Sequence, residues 1–526
     1  MDEWSGVQFY SLALVPVYDL YIKLTGGNEG IFLFFRLLVV VSQSLLAVYI
    51  FRTLNKRIDC FPALAGAMVF QLYARANIMG VSYYFFAVFF YTWGLFLLLN
   101  VQEGKHVCLR CMGAGAVLGL SVLALPYLGI CYIAASIVLF CIRRKIRKFR
   151  EVLYVWSGTL AAAVLYLALL LSRVGINEIV EYIPYIFMDP EHQGGSLPVN
   201  LIMWFLRITR RFWLTIPVYT GILLWIFFRK KMGTQLSVKE KRVVLLINAV
   251  LFGVHLVFSF DMIGCCYIAL SMFAFAVYLI YGKVLKEGKA IWLGIYMPGI
   301  VFSMIFQISS NTGLDSMTTG FAVSGIGAVC LIWEGMKETD WENRRKAAQV
   351  GAYAVVGLAL LQTVFLRWYG VYRDDSINRM TARLESGPAK YLYTTVEHRR
   401  QYEELRESVS ETIPQDYTGT VVYAELVPWL YLCTEQSYGA PGSCRFWGGL
   451  SEAYLKEYYK KMPEKFPEYI LVVRPEYGNF KSVLVQGGES AKAPNGSGVT
   501  DWLVRQAEEA GYEKIEERAG SIYRKQ

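Results

Sequence analysis

The chain has 526 residues, of which 55% are apolar, against about 45–50% in an ordinary soluble domain. Its mean hydropathy of +0.37 excludes a typical soluble globular protein. Apolar runs of about 17–25 residues recur between positions 31 and 367, as membrane-spanning helices require. The net charge of +10 belongs to this apolar part, because residues 368–526 hold 20 Lys and Arg against 23 Asp and Glu. No basic stripe interleaved with aromatic residues indicates a nucleic-acid partner.

Residues 1–30 are predicted to form an extracytoplasmic N-terminal segment. Asp2 and Glu3 precede an apolar stretch, residues 7–23, that carries Pro16 and Asp19 near its middle. An Asp at the centre of a span costs roughly 2.5–3.5 kcal/mol on insertion scales. We therefore predict a helix that lies in the membrane interface. The alternative is a thirteenth span, which would place Met1 in the cytoplasm.

The transmembrane domain is predicted to cover residues 31–367. The apolar runs predict a helical bundle of about twelve spans, near 31–50, 60–74, 81–100, 109–124, 127–142, 152–171, 212–228, 243–260, 262–282, 290–307, 319–336 and 347–367. The second, fourth and fifth runs are short for a span. They suit tilted, broken or re-entrant helices.

The charges of the connections between these runs predict the orientation. One set of alternating connections holds 24 Lys and Arg, including "RRKIRKFR" at 143–150, and the other set holds 6. Because cations resist translocation, we expect the richer set to face the cytoplasm. The N-terminus and the C-terminal domain are then both extracytoplasmic, in a multi-pass protein of the cell membrane.

The connection 172–211 is far longer than the usual 2–8 residues between bundle helices. Its first half has the amphipathic pattern of a helix on the membrane surface. The motif "MDPEHQGG" interrupts this pattern at 188–195. Asp189, Glu191 and His192 of this motif have side chains that bind a cation or carry a proton, although a solvated turn has the same composition.

Three arginines close the long connection on one predicted helical face. Arg207, Arg210 and Arg211 break the charge bias that orders the other connections. Guanidinium groups bind phosphate in a bidentate manner, so the cluster is a candidate site for the phosphate of a lipid-linked donor. Snorkelling towards lipid headgroups explains it equally well. Arg36, inside the first span near its outer end, is a fourth candidate.

Other polar residues on the outer side are more isolated. His255 and Asp261 lie near the outer end of one helix, and Asp315 is expected in a short outer loop. Cys433 and Cys444 fall in the outer domain, where a disulfide is permitted but not required.

Residues 368–526 are predicted to form a small extracytoplasmic α/β domain. "HRRQYEELRESVSETI" (398–413) and "TDWLVRQAEEAGY" (500–512) have the pattern of helices. "GTVVYAE" (419–425) and "EYILVVRP" (468–475) have the pattern of buried strands, and 512–525 is typical of a closing strand pair. No catalytic or metal-ligand spacing is found here. We therefore expect the domain to serve in binding or as a cover rather than in catalysis.

Four features together resemble the GT-C superfamily of integral-membrane glycosyltransferases, especially bacterial relatives of protein mannosyltransferases. They are "DEW" before an amphipathic segment, "TGGNEGIFLFFRLLVVVSQSLLAVYIFRTL" (25–54), short paired helices around Pro126, and an α/β tail beginning near "SGPAKYLYTT" (386–395). The resemblance implies transfer of a sugar from a polyprenyl-phosphate donor to an extracytoplasmic glycan, lipid or protein acceptor. The resemblance also implies that the protein contacts membrane lipid.

The resemblance also implies a catalytic role for Asp2 and Glu3. Family members place an acidic residue in the first extracytoplasmic loop, as a base or as a ligand of a divalent cation. The acceptor must lose a proton while the lipid phosphate leaves. Members also carry a membrane helix before this loop. Without such a helix Asp2 and Glu3 would be poorly fixed, which leaves both an active and an inactive chain open.

Two other functional classes fit the same sequence. A multi-pass transporter would have a similar number of helices, but we find no duplicated half and few acids within the spans. A non-catalytic flippase or a scaffold of cell-envelope assembly would use the outer domain as a binding module.

Overall fold

The computed structural model describes residues 9–101, 106–133, 136, 148–186, 197–234, 236–282, 285, 287–309, 313–338, 345–414, 416–424, 427–434, 436–442, 452–478 and 498–526. Helices occupy most of the described residues up to Tyr369, and a small α/β domain follows. The predicted class, a helical membrane protein with a C-terminal α/β region, is confirmed at this level.

Fourteen helices are described up to Tyr369. The first seven are α1 (Phe9–Thr25), α2 (Ile31–Asn55), α3 (Cys60–Leu72), α4 (Tyr83–Leu99), α5 (Val107–Ala124), α6 (Lys148–Leu171) and α7 (Ile176–Ile186). The next seven are α8 (Leu197–Arg211), α9 (Thr215–Lys231), α10 (Val238–Phe258), α11 (Cys265–Tyr281), α12 (Gly288–Ser309), α13 (Leu314–Lys337) and α14 (Arg345–Tyr369).

Fewer helices than predicted are long enough to cross a membrane. Among the described residues, seven helices are both long and apolar enough, namely α2, α5, α6, α10, α12, α13 and α14. The helices α8 and α9 pass the same test together but meet at 110°. Three further apolar helices, α3, α4 and α11, are shorter. A helix of 13 residues such as α3 is only about 20 Å long, against a hydrocarbon core of about 30 Å. Twelve spans are therefore not confirmed, and half of the run at 127–142 lies outside the described residues.

Helix α13 forms the centre of the bundle. Every residue of its most apolar stretch is buried, and it packs against α3, α11, α12 and α14. Small residues allow this close packing, since a Cβ at Gly320 would lie 2.1 Å from the backbone nitrogen of Ser303 on α12. The N-terminal half of α13 is unusually polar for a buried helix, with Asp315, Ser316, Thr318 and Thr319 all buried.

The C-terminal domain contains a five-stranded sheet. Its strands are β3 (Thr420–Ala424), β4 (Ser437–Tyr438), β5 (Tyr469–Val473), β6 (Glu513–Glu516) and β7 (Gly520–Arg524), in the order β4-β3-β5-β7-β6. Strand β3 is parallel to β4 and β5, whereas β7 is antiparallel to β5 and β6. A separate hairpin of β1 (Ala382–Arg383) and β2 (Tyr393–Thr394) precedes the sheet.

Helices cover both faces of this sheet. Helix α15 (Val396–Thr412) buries Leu405 and Val409 against Val421 and Leu471 on one face. Helices α16 (Glu452–Lys461) and α17 (Gly498–Glu509) cover the other face, where Val422 lies in the core. Successive side chains of β3 thus pack into two different cores, as expected for a strand that is buried on both faces. The predicted helices and strands of this domain are confirmed.

The C-terminal domain contacts the ends of several membrane helices. The backbone N–H of Gly30 donates to the carbonyl of Gly387 over 3.0 Å, and that of Phe32 donates to Pro388 over 3.1 Å. The Nδ2 amide of Asn28 donates to the carbonyl of Leu432 over 2.9 Å. We call this end of the bundle the domain face. Two stretches singled out in the sequence, 25–54 and 386–395, meet here.

Candidate functional site

A cavity lies beneath the loop 73–82, which connects α3 to α4 at the domain face. It contains about 590 Å³ of empty space, part of it open to the surroundings. Its wall is mainly apolar and aromatic, and its polar side chains are few. The lining residues are Val39, Gln43, Phe70, Tyr73, Ala74, Arg75, Ile78, Met79, Ser82, Tyr84, Phe85, Val88, Phe89 and Thr319. Such a wall suits an apolar or amphipathic ligand.

An ion pair closes one side of the cavity. Arg75 Nε donates to Asp315 Oδ2 over 2.9 Å, and the two side chains are only 10% and 6% exposed. The guanidinium carbon of Arg75 also lies 3.9 Å from the centroid of the Tyr84 ring. Asp315 is in the first turn of α13, where the helix dipole favours a negative charge. The sequence placed Asp315 in a short outer loop, whereas it is buried in the bundle.

Hydroxyl and amide groups hold the start of the loop. The Tyr73 hydroxyl is hydrogen-bonded to Thr318 Oγ1 at 3.0 Å and to Thr319 Oγ1 at 2.8 Å. Gln43 Nε2 donates to the carbonyl of Phe70 over 2.7 Å and to that of Tyr73 over 2.9 Å. These bonds add to the hydrogen bonding at the end of α3, where the helical pattern stops and the backbone N–H of Tyr73 donates to the Phe70 carbonyl over 3.3 Å.

The loop then passes through two left-handed residues. Ala76 has φ 47° and Asn77 has φ 59°, conformations that cost free energy for residues other than glycine. Asn77 Nδ2 donates to the carbonyls of Arg367 and Gly370, over 2.9 and 2.6 Å. In return, Arg367 donates to the carbonyl of Leu72 over 3.1 Å. The last turn of α14, which leads into the C-terminal domain, thus holds the roof of the cavity.

Arg36 lies above the cavity on the same face of α2. It precedes Val39 by three residues and Gln43 by seven, so it projects from the same side, about 10 Å nearer the domain face than Gln43. Its side chain is exposed, and among the described residues it makes no hydrogen bond or ion pair. The Asp374 carboxylate of the C-terminal domain lies close enough to act on it electrostatically. Arg36 is therefore a cation on the cavity-lining face of α2, nearer the C-terminal domain than the cavity itself.

The three arginines of α8 do not converge on one point. Arg211 pairs with Asp261 and donates to the carbonyl of Phe258 over 2.8 Å. Arg207 Nη1 donates to Gln307 Oε1 of α12 over 2.6 Å. Arg210 is exposed and makes no hydrogen bond or ion pair within the described part of the chain. Among the described residues, Arg210 is thus the arginine of this cluster that makes no hydrogen bond or ion pair to another element of the bundle.

Two sets of polar contacts lie near this junction, one within the C-terminal domain and one between that domain and the domain face. His398 Nδ1 lies 2.8 Å from Asp374 Oδ1, and Thr394 Oγ1 donates to Asp374 Oδ2 over 2.7 Å. Glu29 pairs with Lys390 at 2.5 Å, and this hydrogen bond holds the pKa of the Glu29 carboxyl below its usual value. The Glu29–Lys390 pair therefore joins the C-terminal domain to the loop before α2, and the hydrogen bonds of Asp374 order the part of the domain nearest Arg36.

Several predicted site residues lie outside the described ranges. They are Asp2, Glu3, Asp189, Glu191, His192 and Cys444. Within the described ranges, no group of three or more His, Cys, Asp or Glu residues is arranged to hold a metal ion. His255, noted in the sequence, is buried against Phe212 and hydrogen-bonded to Thr215.

The sequence did not single out Gln43, Tyr73, Asn77 or Arg367. Arg75 carried a signal as one of the few cations on the sparsely charged side, and Arg36 and Asp315 were noted as polar residues of that side. Compared with known proteins, the chain matches no family model. No curated protein is similar to it in sequence.

Proposed function

We propose that the chain is a membrane glycosyltransferase-like protein that transfers a sugar from a polyprenyl-phosphate donor to an extracytoplasmic acceptor. The observation that carries this proposal is the apolar cavity, with Arg75, which pairs with Asp315, in its wall and Arg36 on the face of α2 that lines it. A polyprenyl phosphate has the matching chemistry, a long apolar chain that ends in an anion.

Each part of the site has a role in this proposal. The aromatic wall accommodates part of the isoprenoid chain, and Arg36 and Arg210 bind the phosphate as it leaves. Arg207 and Arg211 hold α8 against α12 and the turn before α11, which positions Arg210. Asp2 and Glu3 keep the role implied by the family resemblance, in which a carboxylate takes the proton of the acceptor.

The number of spans and the orientation in the membrane are part of the same proposal. We infer about twelve spans, in which the short helices α3, α4 and α11 also cross, and a C-terminal domain on the outside of the cell membrane. The 24-to-6 division of cations supports this orientation. In intact cells, a cysteine at exposed Lys456 should react with an impermeant maleimide, whereas one at exposed Glu338 should react only after lysis. The reverse pattern contradicts the orientation.

The activity test uses protein expressed from its complete coding region and reconstituted in liposomes. Radiolabelled polyprenyl-phosphate sugars serve as donors, and a membrane fraction supplies acceptors. Arg36→Ala should lower sugar transfer by about tenfold or more, since a charge-assisted hydrogen bond contributes roughly 1.5–3 kcal/mol. Arg52→Ala, at the other end of the same helix, is the matched control and should leave transfer unchanged. Equal rates in both variants contradict the role of Arg36, and absence of transfer from every donor contradicts the proposal.

A transporter remains the alternative because one observation favours it. A buried ion pair inside a helical bundle, such as Arg75–Asp315, is typical of ion and substrate pathways. Under this alternative, Asp315→Asn would abolish solute-dependent proton or cation flux in the same liposomes. Glycosyl transfer without such flux would favour the enzyme.

A further inference from the structure

The exposed large apolar side chains of the C-terminal domain fall in one short segment. Among the described residues after Gly370, they are Ile377, Tyr391, Tyr393 and Val396, with exposures of 37%, 46%, 56% and 68%. An ordinary water-facing surface carries such residues singly and scattered. Their confinement to residues 377–396 indicates that this segment faces a less polar environment than the rest of the domain.

The segment lies where the membrane helices meet the domain. Tyr391 packs against Gly30, immediately before α2, where an added Cβ would be 3.4 Å from the tyrosine ring. Trp368, in the last turn of α14, is 54% exposed. Helix α2 is a candidate span from its first residue, Ile31. The β1–β2 hairpin is thus at the level where the apolar part of the membrane begins.

Cations surround the aromatic residues of the hairpin. Arg383 is paired in register with Tyr393, and its guanidinium carbon lies 5.0 Å from the Tyr391 ring centroid. Lys390 Nζ lies 5.3 Å from the same centroid. Arg379, four residues before Arg383, has a side chain that is 75% exposed. Tyrosines and basic residues together are typical of the headgroup region of a bilayer, where anionic lipids attract the cations.

We propose that the β1–β2 hairpin, together with Val396 at the adjoining start of α15, binds the anionic headgroup region of the membrane that contains the helices. The binding surface consists of Arg383, Tyr391, Tyr393 and Val396. Tyrosine rings and the valine enter the interface, while Arg383 contacts lipid phosphates. This second attachment, besides the backbone bonds of Gly30 and Phe32, fixes how the domain lies over the cavity. The inference is independent of the proposed enzymatic activity.

The test places a polarity-sensitive nitrobenzoxadiazole label on single cysteines of the full chain. Tyr393→Cys and Val396→Cys report on the hairpin, and Lys456→Cys on α16 is the matched control, all in a cysteine-free background. These side chains are exposed, so the substitutions leave the core intact. Each variant is reconstituted at one protein per nanodisc of phosphatidylcholine and phosphatidylglycerol, which excludes contact with a second copy.

The two hairpin labels should emit at shorter wavelength than the control and lose emission when the lipids carry a doxyl quencher near the headgroup. Hairpin labels with the wavelength and quenching of Lys456→Cys overturn the proposal. Arg383→Gln should weaken the quenching at position 393 in discs that contain phosphatidylglycerol, and have less effect in phosphatidylcholine alone. Equal effects in both lipids overturn the role of the anionic headgroup.

Discussion

Arg75 and Asp315 form an ion pair across 240 residues of sequence, with 2.9 Å between Nε and Oδ2. The pair connects the loop above the cavity to the central helix of the bundle. Burial removes both charges from water, so each group depends on the other for compensation. The pair thus positions the loop 73–82 over the cavity. It also keeps the Arg75 charge at one side of the cavity.

Asp315→Asn should destabilise the protein by about 3–5 kcal/mol, because it leaves the buried Arg75 charge uncompensated. Thermal unfolding in detergent, followed by tryptophan fluorescence, measures the effect. Glu287→Gln is the matched control, since Glu287 pairs with Arg57 at the same distance of 2.9 Å but with side chains 24% and 22% exposed. The Glu287→Gln substitution should destabilise the protein less than Asp315→Asn does. Equal losses in the two variants would show that burial does not set the strength of the Arg75–Asp315 pair.

Gly115→Ala should destabilise the contact between α5 and α6 by about 1–3 kcal/mol, the usual range for overpacking. An added Cβ would lie 1.9 Å from the carbonyl oxygen of Val155, so the helices would have to separate. Gly113→Ala, on the same helix, meets nothing within 4 Å and should be neutral or stabilising. The unfolding midpoints of both variants check this. A Gly115 variant as stable as the Gly113 variant contradicts the close helix crossing.

Ala76→Gly should stabilise the protein, by up to about 1 kcal/mol, because glycine adopts a left-handed conformation without strain. Ala74→Gly, two residues earlier, is the control. Ala74 is extended, with φ −141°, and buried, so glycine there makes the unfolded chain more flexible and removes a buried methyl group, and should destabilise. Opposite shifts of the unfolding midpoint are expected. A loss of stability in both variants would contradict the strained loop.

The Glu29–Lys390 pair should contribute to stability only when Glu29 is ionised. The Lys390 hydrogen bond lowers the pKa of Glu29 in the folded protein. A carboxyl with a lowered folded pKa stabilises above its ordinary value of about 4.3, and the contribution is lost as pH falls through the lowered value. The midpoint of wild type should therefore exceed that of Glu29→Gln near neutral pH by a small amount, under about 1 kcal/mol for an exposed pair.

That difference should disappear on acidification below about pH 4 and should shrink in high salt. Arg379, which pairs with Asp375 elsewhere in the same domain, provides the control. Arg379→Gln leaves the Glu29–Lys390 pair intact. In that background, the pH-dependent difference between the protein with Glu29 and the Glu29→Gln variant should therefore be preserved. A difference that persists unchanged at low pH would contradict the assignment.

The C-terminal domain shows which features of the fold sequence patterns predict. Its strands at 420–424 and 469–473 and its helix at 396–412 follow from local runs of apolar and polar residues. These elements have residues that fit one conformation and one pattern of burial, so their positions are fixed locally. The paired order of the strands, with β7 between β5 and β6, is a property of the tertiary structure.

The candidate site shows what the sequence left undecided. Arg207, Arg210 and Arg211 lie within about one helical turn, and their spacing alone predicted that they share one face. In the structure, Arg207 and Arg211 are engaged by Gln307 and Asp261 of other elements, which no local pattern could indicate.

By itself, the sequence determined that this protein belongs to a membrane and that a small α/β domain follows the helices, because apolar run length and charge bias are local properties. Only the tertiary structure decided that Arg75 meets Asp315 in the wall of a cavity, and that Arg367 holds the loop at Asn77. These relationships join residues up to 290 positions apart. They depend on how the helices cross, and no single segment encodes that geometry.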